Sequence, residues 1–206
     1  MSGATPVDME DSEDSAWVSV AAGLSEAELL VMCRDIERLF RINPYLEFHE
    51  WMEKAPGRYR MRVRNLANAR DFDLDLSAEA LDDGVLVRYR DGLKRLTSFR
   101  VEASGGDAVL VVKDVYADLP EAEKEARHDE VDNSLVPWGN ALWRYFRLWR
   151  RWSWFAPWRW YMTRIWQPMK PSGRRIASLI ILITVAEFVG FLFVFLLFWL
   201  NLDRYF

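Results

Sequence analysis

Arg58–Leu76 reads RYRMRVRNLANARDFDLDL, and this stretch decides the fold. Arg58, Arg60, Arg62 and Arg64 alternate with Tyr59, Met61 and Val63. After the loop NLANAR, Asp71, Asp73 and Asp75 alternate with Phe72, Leu74 and Leu76. A period of two is the signature of a strand with one wet and one covered face. Closing the loop as an antiparallel hairpin sets Arg64 opposite Asp71, Arg62 opposite Asp73 and Arg60 opposite Asp75. The same register sets Val63, Met61 and Tyr59 opposite Phe72, Leu74 and Leu76. One face becomes a ladder of opposite charges and the other is apolar. A slip of one residue spoils both faces, so the register is strongly specified.

Working outward, turn signals at KAPG, LDDG, DG and SGGD separate further strands. They delimit Tyr45–Glu53, Arg58–Arg64, Arg70–Ala80, Val85–Asp91, Arg95–Ala103 and Ala108–Asp118, a six-strand meander. Trp17–Ala22 alternates and is expected to be a seventh strand. Leu24–Ile42 has helical spacing. Ser25 is placed to cap it, Glu28 stands at the capping-box position, and Asn43-Pro44 ends it. Pro120–Asp132 is strongly charged and reads either as a loop or as an exposed helix. Leu135–Phe155 is amphipathic. Leu135, Trp138, Leu142, Tyr145, Trp149 and Trp152 share one face, while Arg144, Arg147, Arg150 and Arg151 share the other. This helix is the natural cover for the apolar face of the sheet. The fold class expected is α+β: an antiparallel sheet of about seven strands around a long amphipathic helix.

The C-terminal part is different. Ile176–Leu202 holds 27 residues with one charge, Glu187, and no proline. At about 1.5 Å per residue it is long enough to cross a hydrocarbon core with tilt. A single transmembrane helix is expected over 176–202. Residues 133–186 carry nine Lys or Arg and no acid, whereas residues 1–33 carry seven acids and no Lys or Arg. The bias of positive charge before the span predicts a cytoplasmic N-terminal domain, as in a tail-anchored protein of the bacterial inner membrane. The organisation expected is an acidic disordered tail over 1–15, a domain over 16–155, a Trp/Arg-rich interfacial segment over 156–175, the span, and a short tail over 203–206. Cys33 stands alone, so no internal disulfide forms, which fits a reducing compartment.

Eight tryptophans between Trp138 and Trp166 are interleaved with arginine. Basic-aromatic runs can bind nucleic acid. Directly before a span the stronger reading is a belt at the bilayer surface, with indoles at the headgroup level and arginines on phosphates. The interface residues expected are Trp154, Trp158, Trp160, Trp166, Arg159, Arg164, Arg174 and Arg175, with the lipid bilayer as partner and no nucleic acid. Glu187 lies near mid-span, where an acid costs about 2.5–3.5 kcal/mol on insertion scales. With Gly190 beside it, a partner membrane helix is expected to cover it; a protonated glutamate in lipid is the alternative.

The order of strand, helical segment ending in Asn-Pro, six-strand meander and long helix resembles the START-like (SRPBCC) superfamily. That is the helix-grip fold of polyketide cyclases, coenzyme Q-binding proteins and lipid-transfer domains. The local match is AELLVMCRDIERLFRINPYLEF, with Asp35, Leu39, Asn43 and Pro44 at the matching positions. The resemblance covers about Ala16–Phe155. It implies a cavity between the curved sheet and the long helix, suited to an apolar ligand such as a lipid, isoprenoid or quinone. It carries no invariant catalytic set, so no catalytic residue follows, and no cofactor is implied. In the register above, Glu50, Tyr59, Met61, Leu74, Tyr89, Asp114 and Tyr116 point into that cavity, with Trp138 and Leu142 facing it from the helix. A bulge would instead turn Glu50 or Asp114 to solvent.

Other motifs carry no site. HEWME at His49–Glu53 lacks the second His of a zinc motif, and two histidines with one cysteine make no metal centre. DFDLDL lacks the glycine and distal glutamate of a calcium loop. The functions expected are a membrane-anchored binding module for an apolar small molecule, or an accessory or assembly subunit of a larger membrane complex. A cyclase-type enzyme is the least supported, because no acid–base constellation is recognisable.

Overall fold

The computed structural model describes residues 15–92, 94–104, 107–116 and 128–202. The acidic tail, most of the charged stretch 120–132 and the tail 203–206 lie outside the described residues. The chain divides into two compact units, Met1–Pro168 and Met169–Phe206.

The first unit is built on a seven-stranded antiparallel sheet. The strands are β1 (Ser15–Ala21), β2 (Leu46–Ala55), β3 (Arg58–Asn65), β4 (Arg70–Leu81), β5 (Gly84–Tyr89), β6 (Lys94–Ser104) and β7 (Asp107–Tyr116). Their order across the sheet is β1-β7-β6-β5-β4-β3-β2, a meander whose last strand pairs with the first. The β3–β4 register is the one the charge pattern dictates, with Arg62 opposite Asp73 and Met61 opposite Leu74. The ion pairs, however, do not run straight across. Arg60 grips Asp73 diagonally with two bonds of 2.8 and 2.5 Å, and Lys54 of β2 reaches over β3 to Asp75 at 2.7 Å. Sheet twist brings diagonal neighbours of long side chains within reach.

The helical segment expected over 24–42 is two helices, α1 (Glu26–Cys33) and α2 (Ile36–Ile42). Ser25 and Glu28 form the capping box of α1. Asp35 breaks the run because its carboxylate caps α2 by accepting from the Arg38 amide, 3.0 Å away. Both helices and the long α3 (His128–Trp152) lie on the apolar face of the sheet. Gly139 lets α3 approach β1: a Cβ there would stand 2.8 Å from the Val18 side chain. The core joins Leu29, Leu39 and Phe40 from the helices, Val87, Phe99, Leu110 and Val112 from the strands, and Trp138, Leu142 and Phe146 from α3. Cys33 is buried within it, and desolvation pushes its thiol up to about 12.

After α3 come the short helix α4 (Ala156–Tyr161) and a π-helical turn, Met162–Trp166. The second unit contains α5 (Pro171–Leu202), a helix long and apolar enough to cross a membrane.

Candidate functional site: a cavity under the long helix

A cavity of about 100 Å³ lies between the sheet and the helices of the first unit. Met61 and Val63 of β3 and Phe72 and Leu74 of β4 form one wall. Phe40 of α2, Leu46 and Trp138 of α3 form the other. Tyr45, Asp91 and Gly92 lie in the turns around it, and Asn65 at the end of β3, Tyr89, Lys94 and Tyr116 complete the lining. Asn43, the residue that ends α2, sits buried at the edge and holds the chain by accepting the Tyr45 amide at 3.0 Å.

Trp138 fixes the floor. Its indole N–H donates to the Leu39 carbonyl at 2.9 Å, and its ring meets Phe40 and Phe99 at 5.4 and 5.5 Å between centroids. A buried indole satisfied in this way is locked in one rotamer, so the floor is rigid.

One end of the cavity is polar. Asp114 of β7 has no exposed side-chain surface and is ion-paired with Lys94. Thr97 of β6 hydrogen-bonds the same carboxylate, and the Tyr89 hydroxyl stands 2.9 Å from the Thr97 hydroxyl. A carboxylate only accepts, so Thr97 donates to Asp114 and accepts a hydrogen bond from the Tyr89 hydroxyl. Burial, with the Asp114 charge nearby, pushes the Tyr89 phenol well above its usual range. The Lys94 ammonium also stands 5.7 Å from the centre of the Trp138 ring.

Two β-bulges decide which polar groups reach the cavity. His49 is unpaired between Phe48, opposite Val63, and Glu50, opposite Arg62. The extra residue carries Glu50 onto the charged face, where its carboxylate lies 3.4 Å from Arg62, and turns Trp51 inward against Phe40. Glu50 is therefore not a cavity residue, and His49 lies beside Asp71. Arg95 is unpaired between Lys94, opposite Tyr116, and Leu96, opposite Val115. That bulge turns Lys94 to the inner face. Simple alternation leaves Lys94 outside, so sequence reasoning missed it; Gly92 shortly before it, a residue that often accompanies irregular backbone, was the one hint.

Of the other residues expected in the cavity, Met61, Leu74, Tyr89, Tyr116 and Trp138 line it. Asp114 stands behind the lining, reached through Lys94 and Thr97. Tyr59 packs on Trp51, 5.4 Å between ring centres, and Leu142 is fully buried in the core; neither lines the cavity. Both are on the apolar side as expected, Leu142 enclosed by the core and Tyr59 half-buried against Trp51.

The Trp/Arg-rich segment splits in two. Trp154 and Trp160 are 75% and 60% exposed. Trp158 and Trp166 instead pack on α3, against Trp149 and Tyr145 at 5.6 and 5.7 Å. These two fasten the segment to α3 through aromatic contacts. Arg159 and Arg164 lie in α4 and the π-helical turn; Arg174 and Arg175 lie in the first turns of α5. Glu187 is exposed on α5, and a Cβ placed on Gly190 would meet nothing within 4 Å. Among the described residues, no three His, Cys, Asp or Glu side chains gather as metal ligands.

No family model and no curated protein matches this sequence. Solved structures do match. The di-domain ARO/CYC StfQ from the steffimycin biosynthetic pathway is 10% identical, with a TM-score of 0.51, over 66% of this chain and 52% of that one. The chain thus spans about half the length of StfQ. A START superfamily protein from Mycobacterium smegmatis is 17% identical with a TM-score of 0.48, over 65% of this chain and 95% of that one. Zhui aromatase/cyclase from Streptomyces sp. R1128 is 18% identical with a TM-score of 0.46, over 66% and 94%. Together with the strand order and the covering helix, the match to StfQ shows the fold: the domain is an α+β helix-grip.

Proposed function

We propose that the protein is a membrane-anchored binding module that holds an apolar small molecule in the cavity beneath α3. The observation that carries this reading is the cavity itself: apolar walls of Met61, Val63, Phe72 and Leu74, a rigid Trp138 floor and one polar end. Ligand sites in proteins combine apolar walls with a few placed polar groups in this way. Its volume of about 100 Å³ is small. That is below the roughly 150 Å³ of an apolar cavity that holds benzene, so at most a small ring or a short chain segment enters and the rest of a larger ligand occupies the mouth. The span α5 would keep the domain at a bilayer, where apolar molecules reside, and the exposed Trp154 and Trp160 suit a headgroup region. We place the domain on the cytoplasmic side of a bacterial inner membrane, from the excess of Lys and Arg before the span.

An organic extract of the source membranes, separated into fractions and added to the protein in nanodiscs, tests the reading. Binding to the folded state raises the unfolding temperature. One fraction is expected to raise it for the wild type and not for Leu74→Trp, whose indole fills the cavity. If no fraction does so, the reading fails.

A second reading, an accessory or assembly subunit of a larger membrane complex, is favoured by Glu187. An acid in the middle of an apolar helix normally faces protein or water, and Gly190 on the same side leaves room for a neighbouring helix.

A further inference from the structure

We propose that Lys94 recognises an oxygen of the ligand, so that the molecule taken up is an apolar ring or chain bearing a neutral hydrogen-bond-accepting oxygen, such as a ketone, quinone or ester carbonyl. This rests on the cavity being a ligand site. Three features of the polar end lead to it. First, Lys94 lines the cavity and has three N–H donors, of which Asp114 takes one. The Trp138 ring faces the same ammonium and accepts no conventional hydrogen bond, so donors remain for an oxygen inside. Second, the Tyr89 hydroxyl hydrogen is committed to Thr97, so Tyr89 offers a ligand only an acceptor. Of these two, Lys94 is therefore the donor. Third, the Lys94 charge is already balanced by Asp114. A second anion would face the buried carboxylate and a cation would face the ammonium. The oxygen that fits is neutral.

The arrangement has the marks of preorganisation. The bulge at Arg95 puts Lys94 inside, and Asp114 and Trp138 restrain its head. Little side-chain freedom is left to lose when an oxygen arrives.

Cyclopentanone and cyclopentane test it, because they share one small ring and differ in one carbonyl oxygen. The full chain is labelled with 3-fluorotyrosine, placed in nanodiscs and titrated by fluorine NMR at matched free probe concentration. The Tyr89 signal is identified by its loss in Tyr89→Phe. The potency of the ketone relative to the hydrocarbon is read in the wild type and in Lys94→Met/Asp114→Asn, which removes both charges together and leaves no unpaired buried acid. That ratio is expected to fall about tenfold in the double variant, the size of one hydrogen bond to a charged donor, because the buried carbonyl then loses its partner. A ratio that is the same in both proteins overturns the role of Lys94 while leaving an apolar site standing. If neither probe moves the Tyr89 signal, the cavity takes no small apolar molecule and the proposed function falls as well.

Discussion

Asp114 is a carboxylate with no exposed surface, and Lys94 and Thr97 are what make that position tenable. A buried charge is expensive unless it is paired and hydrogen-bonded, and removing one partner leaves the other stranded. Lys94→Met should therefore lower stability by about 3 kcal/mol in urea unfolding, at the lower end of broken buried pairs because Lys94 is 24% exposed. Asp114→Asn added to it should restore most of the loss, since Asn still accepts from Thr97 and carries no charge. A double variant as unstable as the single one would show that the pair is not the source. At this scale the sequence was partly legible. Tyr89, Asp114 and Tyr116 follow from alternation. Lys94 and Glu50 do not, because each lies next to an unpaired residue that reverses the alternation.

The strands and helices show where local pattern decides and where long-range contact does. The β3–β4 register follows from two interlocked patterns, charged and apolar, and any shift breaks both. The bulges at His49 and Arg95 leave no such mark, since an inserted residue in a half-polar strand looks like ordinary alternation with one defect. The break at Asp35 was hidden for another reason: Asp-x-x-Arg fits a helix interior as well as a cap, and only packing on the sheet selects the cap. Gly84, at the start of β5, was read only as part of a turn. The structure gives it a stricter role, because a Cβ there would lie 1.9 Å from the Phe99 carbonyl of β6. Gly84→Ala should push these strands apart and cost at least about 2 kcal/mol, the range of overpacked interiors, measurable as a lower urea midpoint. An unchanged midpoint would show that β5 and β6 yield freely at this end.

For the whole molecule, topology was the most legible level. The order of elements and the short segment ending in Asn43-Pro44 pointed to a helix-grip, and the sheet order and the covering helix are those of that fold. The apolar C-terminal helix was equally plain, because length and composition suffice to recognise it. The Trp-rich segment was less so. Eight tryptophans near a span suggest a belt, yet Trp158 and Trp166 are used to fasten α4 and its π-helical turn to α3. Composition cannot separate an indole that packs on protein from one that faces lipid. Cavity size was also beyond reach, since it depends on how Tyr59, Trp51 and Leu142 fill the space around the lining. The central claim is that this cavity holds an apolar molecule next to a membrane. Native mass spectrometry of the protein released from its own membranes, with the bound small molecules extracted and identified, tests it most directly. The account predicts one oxygen-bearing apolar molecule per chain, absent from Leu74→Trp. A chain that carries no small molecule, but co-purifies with membrane subunits that Glu187→Leu removes, would contradict it.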